Sequence, residues 1–284
     1  MTINETLNEM ILALNEFEPL VLYASAALTA VFIFSWYRRI LFAWPFSRGE
    51  FTKFVLGLLP VVAFSVIYTT LRTVASHDVI NDPYYIAMYL FLGFAWLYIG
   101  VVIMSAFFGL SWVDDVLHLN NSAALFAFTG GFLGLTAMYA ASNIGDGPGW
   151  ACVLFTGALG LTSWTLLTLL VDYFTQVFEK ITVERDLACG IRIGCFLLAM
   201  SMIMAKKMAG DWLSVHMTLV DFVAAGPALA AIIGEMIFDN RSKPGKVLPK
   251  QTVITGGKTD ILASAIWGIT LLLTSAIGTI KIYG

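Results

Sequence analysis

The chain is short of nearly everything a water-facing surface is made from. Only 12% of its 284 residues are Asp, Glu, Lys or Arg, against roughly a quarter in an ordinary soluble domain. Three cysteines are too few for a disulfide scaffold. Cys152, Cys189 and Cys195 each sit inside apolar stretches, where a thiol reads as a small buried hydrophobe. Sixteen Lys and Arg are scattered among nineteen Asp and Glu, a net charge of −3, so no basic face for nucleic acid is expected. The three histidines, His77, His118 and His216, lie nearer the ends than the centres of apolar segments, and no pair is placed to clamp a haem. Phosphate-loop, dinucleotide-fold, HExxH and GxSxG motifs are all missing. No polar stretch is long enough to house a soluble catalytic domain, the longest being about Phe238–Asp260. The expectation is a non-enzyme without cofactor or resident metal.

What fills the space instead is apolar sequence, 59% of the chain, with mean hydropathy +0.83. A helix needs about 20 apolar residues to cross the hydrocarbon core. Eight segments qualify: Pro19–Trp36, Phe54–Leu71, Tyr84–Val113, Ser122–Ala141, Gly149–Val171, Leu187–Ala205, Leu213–Gly234 and Ile261–Ile280. The expected fold is therefore an all-α, polytopic membrane protein with eight transmembrane helices. The third segment is long enough to project beyond the bilayer. Met1–Glu18 carries four glutamates and no Lys or Arg, the wrong charge for a signal peptide. Its Leu7, Met10, Ile11 and Leu14 suit an interfacial helix instead.

Eleven Lys and Arg fall in the alternate loops that include Arg38, Arg185 and Arg241, against four (Arg72, Lys206, Lys207, Lys281) on the other side. By the positive-inside rule both termini lie outside, and helical spans place the protein in a bacterial inner membrane. The organisation expected is an acidic segment 1–18, a membrane hairpin 19–75, a four-helix core 84–210, and a last hairpin 211–284 with a basic inner loop. Trp36, Trp44, Tyr84, Tyr85, Trp112, Trp150, Trp212 and Tyr283 fall near predicted span ends and read as an aromatic belt.

The stretch Trp112–Gly134, with Asn121-Ser122-Ala123-Ala124 leading into Phe128-Thr129-Gly130-Gly131 and Gly134, resembles the signature of the YjfL-like membrane protein family, a domain of unknown function. The resemblance covers about residues 84–210 and implies tandem membrane hairpins with an N-x-A-A-like entry into each small-residue helix. The second entry would be Asp186-Leu187-Ala188-Cys189-Gly190, then Gly194, which departs from the pattern at Asp186 and in carrying Arg192. Aligning Ala123 with Ala188 offsets the copies by 65 residues. Family members tend to be encoded beside membrane-organising proteins, which implies an envelope-organising or stress-related role, and the resemblance supplies no catalytic residues.

Among individual residues, Ala127, Gly130, Gly131 and Gly134 form small-residue faces that let helix backbones approach in lipid. Packing within one subunit is the simpler reading and a homo-oligomer interface the other. Asp172 and Arg192 each lie ten residues from the turn centred near Thr182. Equal depth and a cost of at least ~2.5–3.5 kcal/mol for a lone intramembrane charge predict an Asp172–Arg192 ion pair. In the seventh segment, Pro227 interrupts the backbone ladder near the bilayer midplane, with His216, Asp221 and Glu235 nearby. A broken helix beside acids suits a cation path, while a simple kink explains the same residues. Asp114 and His118 share a helix face, the mark of a solvated interfacial cluster rather than a metal site. Asn121 is the expected cap of the fourth span. Arg241, Lys243, Lys246 and Lys250 form a basic inner loop that suits a membrane-associated partner or anionic lipid, and equally a bare topology signal.

Two functions follow. One is a non-catalytic integral membrane module that oligomerises or anchors a partner. The alternative is a cation or small-solute channel or secondary transporter running along the seventh helix.

Overall fold

In the computed structural model, the described residues are 17–43, 49–212, 214–223, 231–237, 239 and 258–280. The elements are α1 (Glu18–Leu41), α2 (Glu50–Thr73), a short α3 (His77–Asn81), α4 (Pro83–Phe108), a π-helical turn (Trp112–His118), α5 (Ser122–Ser142), α6 (Trp150–Thr175), a short α7 (Val177–Thr182), α8 (Leu187–Met208), α9 (Val215–Val223) and α10 (Lys258–Ile280). Six of these, α1, α2, α4, α5, α6 and α8, are long and apolar enough to cross a membrane. The chain is an all-helical, multi-pass membrane protein. Residues 231–237 are also helical, and α10 carries a shorter apolar stretch, Ile261–Ala276.

The third span is not one long helix. Gly109 adopts φ +62° and caps α4, a left-handed conformation that glycine takes without Cβ strain. A new turn then starts at Ser111, whose hydroxyl accepts the Asp114 N–H at 3.0 Å while its own N–H donates to the Asp115 carboxylate at 2.8 Å. Hydrophobicity ran on through Val113, but the backbone stops at Gly109 because the local capping groups end it there. Asp114 and His118 sit 3.6 Å apart on this turn, both well exposed, as a solvated pair.

The core lies in the middle of the chain. Of the apolar stretch of α5, 72% is buried inside the chain, against 22% of that of α1, so α1 leaves most of its apolar surface uncovered while the central helices face one another. The small residues explain how. A Cβ on Gly130 would strike the Gly194 carbonyl, one on Gly194 the Phe126 carbonyl, and one on Gly190 the Ala123 carbonyl. Gly134 lies against Ser201, Gly131 against the Met104 sulfur, and Ala127 is fully buried. Lipid tails offer no hydrophobic drive between helices, so close backbone approach supplies the dispersion that holds α5 to α8. These faces pack within the chain.

The 65-residue offset runs through the backbone itself. Asn120 and Arg185 both take positive φ, 47° and 57°. Asn121 and Asp186 follow, each side chain accepting two N–H groups, from Ala123 and Ala124 and from Ala188 and Cys189. Leu119 donates to the Asp114 carbonyl as Glu184 does to that of Glu179, and Asn121 to Asp115 as Asp186 does to Lys180. At the opposite end Gly145 and Gly210 both have positive φ and precede Asp146 and Asp211. There the copies touch. The Asp146 N–H donates to the Asp211 carboxylate at 2.9 Å, and the Trp212 N–H to the Asp146 carbonyl at 2.8 Å. Two like units, α4 to α5 and α6 to α8, thus meet along the α5–α8 seam.

The first hairpin is pinned by a proline. Pro60 lies inside α2 and cannot donate to the carbonyl four residues back, Leu56. The Trp36 indole N–H takes that carbonyl at 3.0 Å, and the Tyr37 hydroxyl donates to the neighbouring Gly57 carbonyl at 3.0 Å. Trp36 is fully buried and stacks on Trp112 at 4.0 Å. This corrects the belt reading for Trp36, Trp112 and Trp150, all buried: span ends are also where turns pack, and these rings fill helix junctions. Tyr84 remains exposed, while Trp44 and Tyr283 lie outside the described residues.

A buried charge ladder as the candidate functional site

Arg192 lies six residues beyond the Asp186 cap, about 9 Å along α8 at helical rise. Its side chain is 4% exposed. The Nε donates to Glu235 Oε1 at 2.5 Å, and Nη2 donates to Asp239 Oδ1 at 3.1 Å and to the Cys189 sulfur at 3.7 Å. Glu235 is fully buried, and its second oxygen accepts the Trp267 indole N–H of α10 at 3.0 Å. Asp239 also accepts Lys180 Nζ, from α7, at 2.6 Å. Glu235 and Asp239 stand four apart in sequence, the spacing that places side chains one above the other on a helix face.

The ladder therefore runs Lys180, Asp239, Arg192, Glu235, Trp267, drawn from α7, α8, residues 235 and 239, and α10. Two cations meet two anions, so the cluster is neutral as a set. Its geometry follows from cost. A lone charge at this depth is expensive, and a buried pair is tolerable only when its hydrogen-bonding capacity is nearly filled. Here both Glu235 oxygens and one Asp239 oxygen are engaged; Asp239 Oδ2 is buried and has no hydrogen-bond partner among the described residues. Such a ladder ties the chain beyond α9 to the third hairpin. Gly268 of α10 supports the tie, because a Cβ there would press into Cys195 of α8.

The expected Asp172–Arg192 pair is not formed. Asp172 accepts the Phe178 N–H at 3.1 Å and so caps α7, and Arg192 spends its guanidinium on Glu235 and Asp239. Equal distance from the turn sets the depth of both side chains and leaves open which face of each helix carries them. The chain after α6 also turns at Gln176, φ 53°, into α7 before reaching α8, so the hairpin is wider than a simple turn. Glu235 does belong to the site, although as a locked partner. His216 is exposed on α9 and is not part of the ladder. Asp221 lies in the last turn of α9, with its side chain outside the described residues, as are Pro227, Arg241, Lys243, Lys246 and Lys250. Among the described residues no three His, Cys, Asp or Glu side chains gather to hold a metal.

Lys180, Asp239 and Trp267 were not singled out from the sequence. The i, i+4 spacing of Glu235 and Asp239 was the available signal for Asp239. Lys180 reads as a loop cation until α7 is seen to fold back over the end of the bundle. Comparison with protein-family models, curated proteins and solved structures finds no match to this chain.

Proposed function

We propose that the chain is a non-catalytic integral membrane module, oligomeric or partner-anchoring, in which intramembrane charge locks hairpins together rather than moving ions. The observation carrying this reading is the state of Glu235: fully buried, with one oxygen on Arg192 and the other on Trp267. A transported cation needs an acidic group that is free to exchange partners, and this one is occupied twice over. The tight α5–α8 seam supports the same reading, since bare backbone contacts resist the rocking of one unit on another.

In this reading the chain forms four hairpins spanning a bacterial inner membrane eight times, with both termini outside. Support for the last two spans comes from the described helical residues of α9, of 231–237 and of α10. The YjfL-like resemblance and its envelope-organising role belong to the same proposal. The competing reading is a cation or small-solute channel or secondary transporter along the seventh segment. Purified protein in liposomes separates the two. The expected result is no cation flux above that of empty vesicles. Flux that Asp221→Asn or Glu235→Gln abolishes would refute the module reading.

A further inference from the structure

The end of the bundle away from α7 holds a cavity that the ladder does not use. Where the two repeat units meet, the loops around Gly145 and Gly210 close over the ends of α5 and α8 and leave a space of about 110 Å³. At roughly 10–15 Å³ per water on this measure, it holds a solute of several non-hydrogen atoms.

The hydroxyls of its lining present oxygens to it, beside the N-terminal turn of α6 at Gly149 and Cys152. The Ser142 hydroxyl donates to the Tyr139 carbonyl at 2.8 Å. The Thr156 hydroxyl is directed at the Cys152 and Val153 carbonyls at 3.1 and 3.2 Å. Both have committed their single hydrogen to the local helix, so lone pairs are what they offer the cavity. Asn143 gives one amide hydrogen to the Tyr139 carbonyl at 2.7 Å, which leaves its carbonyl oxygen and its second amide hydrogen to the cavity. Tyr89, only 4% exposed, lines the same space, and its hydroxyl has no hydrogen-bond partner among the described residues. Asp78 and Cys152 line the same cavity. At the rim three exposed carboxylates, Asp78, Asp146 and Asp211, face one ammonium, Lys207.

An acceptor-rich floor beneath a net negative rim selects a cation that donates hydrogen bonds. A bare metal ion fits poorly: the space exceeds one ion, and no three metal-ligating side chains converge among the described residues. We propose that this cavity binds the primary ammonium group of a small organic cation, its N–H bonds directed at Tyr89 and the floor oxygens and its charge balanced by the rim carboxylates. That group comes either from a soluble amine or from an ethanolamine phospholipid headgroup. The site stands apart from the ladder and does not depend on the module reading.

The test is calorimetric titration of the full chain, in phosphatidylglycerol nanodiscs, with ethanolamine. One saturable site is expected. Choline, which has no N–H, is expected to bind at least about tenfold more weakly, and Tyr89→Phe to weaken ethanolamine about tenfold with an unchanged melting temperature. Asp78→Asn tests the rim charge and is expected to act in the same direction. Nanodiscs containing phosphatidylethanolamine assign the source: suppressed ethanolamine binding identifies the headgroup, and unchanged binding a soluble amine. No saturable ethanolamine binding in phosphatidylglycerol, choline binding equal to ethanolamine, or full affinity in Tyr89→Phe would overturn the proposal.

Discussion

Replacing Arg192 with Met tests the ladder directly. The substitution keeps most of the side-chain volume and removes the contacts at 2.5 Å to Glu235 and 3.1 Å to Asp239. Glu235 is then left fully buried with the Trp267 N–H alone, and Asp239 with Lys180. Removing one partner of a buried pair costs about 3–5 kcal/mol, because the remaining charge is stranded without compensation. That is a large part of a total stability of about 5–15 kcal/mol. Glu235→Leu alone strands only Arg192, which keeps Asp239, and is expected to cost less. The double variant Arg192→Met/Glu235→Leu is expected to recover about 1–3 kcal/mol relative to the sum of the single effects. By contrast, Asp172→Asn retains an oxygen for the Phe178 N–H and is expected to cost under about 1 kcal/mol. The assay is reversible unfolding in mixed micelles of rising dodecyl sulfate fraction. Strict additivity of the two ladder variants, or an Asp172→Asn loss as large as that of Arg192→Met, would refute the pairing.

Two more substitutions probe the repeat. Gly130→Ala places a methyl group against the Gly194 carbonyl, a backbone atom that cannot swing aside, and is expected to cost about 1–3 kcal/mol; Gly57→Ala, with nothing within 4 Å, is the control that should be near neutral in the same unfolding assay. Asn121→Ala removes two capping bonds and leaves the buried Ile181 carbonyl without its 2.8 Å donor, for an expected loss of about 2–4 kcal/mol by thermal melting. A loss no greater than that of Asp186→Ala, which removes a cap alone, would count against a special role for the Asn121 amide.

The chemistry of the candidate site was legible in its residues and largely hidden in its pairing. A buried arginine in a 12%-charged chain had to have acidic partners, and Glu235 stood out as an intramembrane acid. Depth along the helix follows from counting at fixed rise, so Asp172 looked like a fit. Which face of α8 carries Arg192, and which helix lies opposite, depend on how the third and fourth hairpins pack, and no count along one hairpin supplies that. The cavity between the repeat units was equally out of reach, since its lining comes from segments as far apart as Ala75 and Thr218.

Sequence alone determined the helical, membrane-spanning class, because hydrocarbon demands internally satisfied backbone over long apolar runs, and composition records that demand directly. It also determined the Asn121 cap and the small-residue faces, which are local or face-periodic properties. Only the tertiary structure decided that the repeat closes on itself through Asp146 and Asp211, that Trp36 answers the carbonyl freed by Pro60, and that Arg192 turns to Glu235 and Asp239. Each of these rests on a contact between residues distant in the chain. Apolar periodicity reports which surfaces avoid water, and inside a bilayer nearly every surface does, so it leaves open which surfaces meet.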